Sequence, residues 1–495
     1  MKNESYTHPP RHDGYAGLGD YAAIGDGRSV ALIAPDGAID WWCAPNMDSP
    51  PLFDRILDAA SGGFFQIEPT GDYRVERRYR ENSNVLETCY QTASGSVMLT
   101  ESLNSNYAGR LPWCELARRV EGLSGEVELR VSFVPGTAAC TRSPWIQTTD
   151  KGQVIHIGDL MAMLRTSDDV SLTHFDDHAI EGTLIAREGV RSLVALLVSH
   201  KEPLAVPSLE KIDGHIDISD HVWQLWCESL TYQGLFPEHV KRSALALKFL
   251  LYSPTGALAA APTTSLPEGI GGEKNYDYRY AWTRDACMII RAFTVIGALE
   301  ECKAAFSWLT NTILRHDGKV RVCYTLDGGI VPAESYPPLS GYKNSQPVRI
   351  GNNARDQQQL SMYGDLLATA LLFVRAGHVL DLTTARLLAA LANTCADIWK
   401  QEDSGIWELQ DLQHYTHSKI TCWITLDIAA HLAREGHLEA TWVARWDREK
   451  SRIQAWVEAH CWSEKKQSYT FYAGSDRLDA SLCLTWHYGK HCNCL

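Results

Sequence analysis

The chain has 495 residues, 45% hydrophobic and 21% charged, a globular balance that excludes disordered, collagen-like and disulfide-scaffold proteins. Its 46 basic and 60 acidic residues leave a formal net charge of −14 with no basic stripe, which argues against a nucleic-acid partner. No apolar run approaches the roughly 20 residues that span a bilayer, and residues 1–14 lack the apolar stretch of a secretory signal, so no membrane partner and a cytoplasmic location are expected.

Up to about residue 215 the sequence reads as short strands and turns. SVALIAPDGAIDWW (29–42) carries a turn at Asp36–Gly37, and NVLETCYQTASGSVMLTESL (84–103) turns at Gly95. GEVELRVSFVPG (125–136) alternates apolar and polar residues, and RSLVALLVSH (191–200) is a buried-strand run; the set predicts a β-sandwich. Beyond 215 the period changes. Helices are predicted over 240–253, 284–314, 383–401, 417–436 and 439–460, and over DQQQLSMYGDLLATALLFVRAG, where Leu360, Tyr363, Leu367, Leu371 and Val374 share one face. Gly297, Gly377 and Gly436 fall at or near helix ends. Repeated helical hairpins without intervening strands point to an α/α bundle or toroid and away from a TIM barrel. Loops 255–283, 317–349 and 402–416 are longer than ordinary connections, and such loops are usually functional.

Those loops hold the residues able to do chemistry. PTTSLPEGIGGEKNYDYRYAWTRDA (262–286) joins four aromatics (Tyr276, Tyr278, Tyr280, Trp282) to Arg284–Asp285 at a helix start. A guanidinium that donates beside a carboxylate that accepts suits sugar hydroxyls; an isolated pair reads first as a helix cap with a surface arginine, and the aromatic run brings the two readings level. SGYKNSQPVRIGNNARDQQQLSMYGD (340–365) gathers Arg349, Asn352, Asn353, Gln357 and Gln359, groups that favour a polyhydroxylated ligand but are also common in surface loops. In DSGIWELQDLQHYTHSK (403–419), Glu408 follows Trp407. A carboxyl packed against that ring would lose hydration, as a general acid requires, whereas a lone loop glutamate is ordinarily solvated.

Taken together and in this order, the motifs resemble glycoside hydrolase family 15, which holds glucoamylases, glucodextranases and bacterial trehalase-like enzymes. DYAAIGDGRSVALIAPDGAIDWWCAPNMDSPPLFDRILDAASGGFF (20–65) is similar to the trehalase-like N-terminal domain; KRSALALKFLLYSPTGALAAAPTTSLPEGIGGEKNYDYRYAWTRDA (241–286), PVRIGNNARDQQQLSMYGD and GIWELQDLQHYTHSKITCWITLD complete the match up to Ser481. The resemblance implies a β-sandwich followed by an (α/α)6 toroid. Its domains would be an N-terminal sandwich at 1–215, a linker helix region at 216–239 and the catalytic toroid at 240–482. It also implies an inverting, exo-acting hydrolase of α-linked glucose, in which one glutamate protonates the leaving oxygen and a second activates water from the opposite face. Glu408 corresponds to the acid; Arg284, Asp285 and Trp282 to the grip on the non-reducing glucose; Trp407 and Arg349 to further sugar contacts. The chemistry needs no cofactor, although some trehalases of the family depend on phosphate and magnesium.

The chain departs from the family after LDASL (478–482), where members continue through more helices that carry the base. Here CLTWHYGKHCNCL follows, with no helical period, like sequence read out of frame. The toroid is therefore expected to lack its last helices and its general base, with apolar faces left uncovered and activity impaired. Glu334, in VPAESYPPL, is a weak substitute, better suited to a structural or rim role. A non-catalytic remnant that binds glucosides and a glycoside phosphorylase are the rival readings. The 14 cysteines are scattered without a CxxC pair, as in a reduced cytosolic core; His487, His491, Cys492 and Cys494 form a terminal cluster of metal-ligand type without the spacing of a known site.

Overall fold

The structure is a computed structural model that describes residues 5–7, 11–105, 113–136 and 144–484. The terminal His/Cys cluster lies outside the described residues. Two compact units emerge: residues 1–254 with 261–279 and 333–352, and residues 255–260 with 280–332 and 353–495.

In the first unit, sixteen strands join one hydrogen-bonded network. Its backbone is the 22-residue strand Trp113–Val134. The first half pairs antiparallel with Arg191–His200 and Gly95–Leu103. After a bulge between Gly122 and Ser124, the second half pairs with Ile180–Arg187 and Phe64–Pro69. One strand thus passes from one sheet to the other, a bulge-made corner of a sandwich. The inner faces meet in a core that includes Phe53, Phe65, Phe133 and Leu129 from one sheet and Leu99, Leu116, Val194 and Leu196 from the other. The run 191–200 is buried at every position but its ends.

Helix α1 (Leu209–Glu228) starts where Ser208 Oγ accepts from Lys211 N at 3.3 Å, and it packs Ile212 and Ile216 onto Leu193, Ala195 and Leu197. The expected boundary at 215 falls inside this helix, because the cap and the 212/216 spacing begin before strand-like residues run out. Helix α2 (Pro237–Phe249) follows, with proline in its first turn. Loop 333–352 also belongs to this unit: Leu339, Tyr342 and Val348 pack with Tyr15, Trp41 and Ile56.

The second unit is helical: α3 (Thr283–Ile296), α4 (Leu299–Arg315), α5 (Ser361–Arg375), α6 (Leu382–Ile398), α7 (Thr416–Arg434) and α8 (Val443–Cys461). The single stretch expected at 284–314 is two helices. Gly297 adopts φ +86°, closing α3 through its N–H to Phe293 and Thr294 carbonyls, a left-handed cap that a β-carbon disfavours. Helix α3 packs on α4 and α5, and α7 on α5, α6 and α8. Only Asp427, His431 and Arg434 of α7 escape burial, so it is the central helix among those described. The order, a β-rich part followed by a helical part, is the one expected. No helix among the described residues is long and apolar enough to cross a membrane.

Candidate active site

Two segments of the second unit, more than 100 residues apart in sequence, build the site. The first is the start of α3. Ala281 and Trp282 pair with Tyr324 and Cys323 as a two-residue ladder, and Thr283 donates from N to Val322 O at 2.9 Å and from Oγ1 to Arg321 O at 2.7 Å. Anchored this way, the first turn projects Arg284 and Asp285, with the acid where the helix dipole favours it. The Trp282 ring is almost fully buried.

The second segment is the loop before α7. Asp403 and Gln413 exchange two backbone hydrogen bonds of 3.1 Å that close its neck. Gly405 sits at φ +65°, and a β-carbon there would lie 2.8 Å from the Tyr415 ring, so only glycine fits. Glu408 itself adopts φ +58°, a left-handed conformation that costs a residue with a β-carbon about 1–3 kcal/mol and persists only where the surroundings enforce it.

These segments meet at one oxygen. Glu408 Oε1 accepts from Trp282 Nε1 and from Arg284 Nη2, each at 3.0 Å. Arg284 Nη1 donates to Ile406 O at 3.0 Å, and Nη2 lies 3.4 Å from Asp285 Oδ2. Among the described residues no donor reaches Glu408 Oε2, and the side chain keeps 21% of its surface exposed. Gln357 Nε2 donates to Glu408 O at 3.1 Å, and Gln359 Nε2 to Gln357 Oε1 at 3.1 Å, so the amides of the middle motif brace the loop. Burial raises the Asp285 carboxyl above the ordinary aspartate range, with Arg284 opposing. The imidazole of His417, in the first turn of α7, is pushed down to about 4 by burial; Asp479 opposes this and Arg284 adds to it.

Two expectations need correction. Trp407 does not pack on the Glu408 carboxyl: its ring is 55% exposed and its Nε1 donates to Asp479 Oδ1 at 3.0 Å. The left-handed turn at Glu408 sends neighbouring side chains different ways, and the indole that touches the carboxylate is Trp282. Arg349 belongs to the first unit, where Nη1 donates to the carbonyls of Glu273 (2.9 Å) and Asn275 (2.8 Å), Nε lies 3.2 Å from Glu334 Oε2, and the guanidinium covers the Tyr276 ring. Sequence reading also passed over Asp403 and Asp479. The only available signal was that Asp403 opens the quoted motif 403–419 and Asp479 lies within the last matched segment, LDASL.

Among the described residues no group of three or more His, Cys, Asp or Glu is arranged to hold a metal ion.

Residues 234–491 match glycosyl hydrolases family 15 and residues 16–181 match the trehalase-like N-terminal family; the chain belongs to glycosyl hydrolases family 15. It is 33% identical over 456 residues to a trehalase of Thermoplasma acidophilum, covering 91% of this chain and 77% of that one. It is 32% identical over 518 residues to a trehalase of Mycobacterium tuberculosis, covering 96% and 73%. A bacterial glucoamylase solved with acarbose shares the fold, with TM-score 0.66 at 13% identity over 97% of this chain and 74% of that one.

Proposed function

We propose that the protein hydrolyses trehalose, with inversion at one anomeric carbon. The observation that carries the reading is Glu408, held at Oε1 by Trp282 and Arg284 while no donor among the described residues reaches Oε2. Protonated on the open oxygen, Glu408 would deliver its proton to the bridging oxygen as the anomeric C–O bond breaks, while water attacks that carbon from the opposite face. Arg284 and Asp285 would bind hydroxyls of the glucose being attacked, Trp282 would line its pocket, and the exposed ring of Trp407 would offer a face to sugar at the rim. Arg349 is not assigned a sugar contact, because it belongs to the first unit and its Nη1 is held by the carbonyls of Glu273 and Asn275. That the relatives are named trehalases supports trehalose as the substrate. The eleven described cysteines are free thiols, which suits a cytoplasmic setting.

Among the described residues no second glutamate is hydrogen-bonded into the cluster to serve the water side. The test is proton NMR of trehalose with concentrated protein at early times. Inverting hydrolysis releases α- and β-glucose in equal amounts. Release of α-glucose alone would overturn inversion, phosphate-dependent glucose 1-phosphate would select a phosphorylase, and saturable binding without any product would select a binding protein.

A further inference from the structure

We propose that Asp403 is a positioning residue: it fixes the loop that aims Glu408, and its loss disables proton delivery while leaving the sugar pocket in place. The inference rests on the reading of Glu408 as the acid. Asp403 is fully buried at the neck of the loop. Its backbone closes that neck against Gln413, and Ser404 N, one residue on, donates to Gln358 O at 2.9 Å. Its carboxylate is what ties the neck to the helices. Oδ2 accepts from Leu360 N at the start of α5 (2.9 Å) and from Ser418 Oγ in the first turn of α7 (2.8 Å). One oxygen therefore links three chain segments.

The loop needs such a bolt. Between Gly405 and Glu408 it holds two left-handed residues, and its inner hydrogen bonds are few: Glu408 N to Gly405 O at 3.3 Å and Leu409 N to Ser404 O at 3.0 Å. The ends of α5 and α7 also carry free backbone donors that a buried loop has to satisfy. Nearby, Lys419 Nζ, also buried, donates to the carbonyls of Trp399 (2.7 Å) and Gln401, pinning the chain just ahead of the neck. Most of the grip on sugar is anchored separately, at the start of α3, by the 281–282 ladder and the Thr283 bonds, so the two functions should largely separate even though Arg284 also reaches the loop at Ile406 O. Asn at 403 retains an acceptor for Leu360 N and Ser418 Oγ; Ala does not.

The experiment compares Asp403→Ala, Asp403→Asn and Ser418→Ala on two substrates. Trehalose requires protonation of its leaving group, whereas α-glucosyl fluoride does not. With Asp403→Ala, kcat on trehalose should fall about 100-fold, the scale of an ångström of misplacement, with KM little changed and the fluoride rate nearly retained. Asp403→Asn should restore most of the rate, and Ser418→Ala, which removes one bond of two and keeps the fold if Asp403→Ala does not, should lie between. Hydrogen exchange reads the same device without turnover: amides of Glu408 and Leu409 should lose protection in Asp403→Ala and Ser418→Ala and keep it in Asp403→Asn. Equal slowing on both substrates, or unchanged loop protection, would overturn the proposal. Glu408→Gln separates the two readings: wild-type trehalose turnover by that variant sinks the acid assignment, while a slowed Glu408→Gln beside an unaffected Asp403→Ala sinks only the role of Asp403.

Discussion

In the sandwich core Arg118 meets Glu101 at 2.8 Å; at the start of α3 Arg284 meets Glu408 at 3.0 Å. The first pair is wholly buried, on regular strands, and its guanidinium is otherwise taken up by the carbonyls of Phe65 and Gly37 and by the Phe65 ring. The second is partly exposed, sits on a left-handed loop residue, and leaves a carboxylate oxygen open. The contrast shows what separates a structural ion pair from a functional one. The Coulombic contact is alike, and Glu101 Oε2 also lacks a hydrogen-bond partner among the described residues; the difference lies in solvent access to the second pair and in the backbone that has to be held in place.

The sharpest way to break the comparison is to remove each arginine. Arg118→Met leaves Glu101 buried and uncompensated and should cost about 3–5 kcal/mol, read from the midpoint of denaturant unfolding. The same change at Arg284 should cost less, about 1–3 kcal/mol, because water reaches part of the pair. Equal losses would contradict the distinction.

His417 sharpens it further. Folded, the imidazole stays neutral down to about pH 4, while the unfolded chain takes up a proton near 6.5. Its stabilising contribution is thus fully present above pH 6.5 and is lost as pH falls toward 4, by an amount on the order of 3 kcal/mol. Asp285 and Asp403, both raised by burial, act in the opposite sense, since their folded forms hold protons that the unfolded chain has released. The difference between wild type and His417→Asn isolates the histidine. A variant whose stability falls as steeply between pH 6.5 and 4 would show that His417 is not the group responsible.

A smaller effect is expected at Asp285. Its removal loses charge-assisted hydrogen bonds of roughly 1.5–3 kcal/mol each, so glucose affinity by calorimetry should weaken by about 10- to 100-fold. Unchanged affinity would exclude Asp285 from the sugar.

The class of each half was legible in the sequence because periods of 2 and 3.6 survive in contiguous runs such as 125–136 and 360–374. So were Glu408 and Arg284–Asp285, each embedded in a contiguous motif. Partners across the fold were not. Sequence adjacency made Trp407 the natural neighbour of Glu408, yet a left-handed turn put Trp282 there, 126 positions away. Arg349 shares a motif with Gln357, but the chain passes from one unit to the other between them, at 352–353. Asp403 gave no chemical signal at all, because what it does depends on Leu360 and Ser418 arriving beside it.

The account's central claim is that Glu408 delivers the proton. Its most direct test is the ratio of kcat/KM for trehalose to that for α-glucosyl fluoride, in wild type and in Glu408→Gln. Loss of acid catalysis should lower the trehalose value by about 10²–10⁴ while the fluoride value changes little, so the ratio collapses. A ratio that stays constant, whether both substrates slow together or neither does, would contradict the assignment.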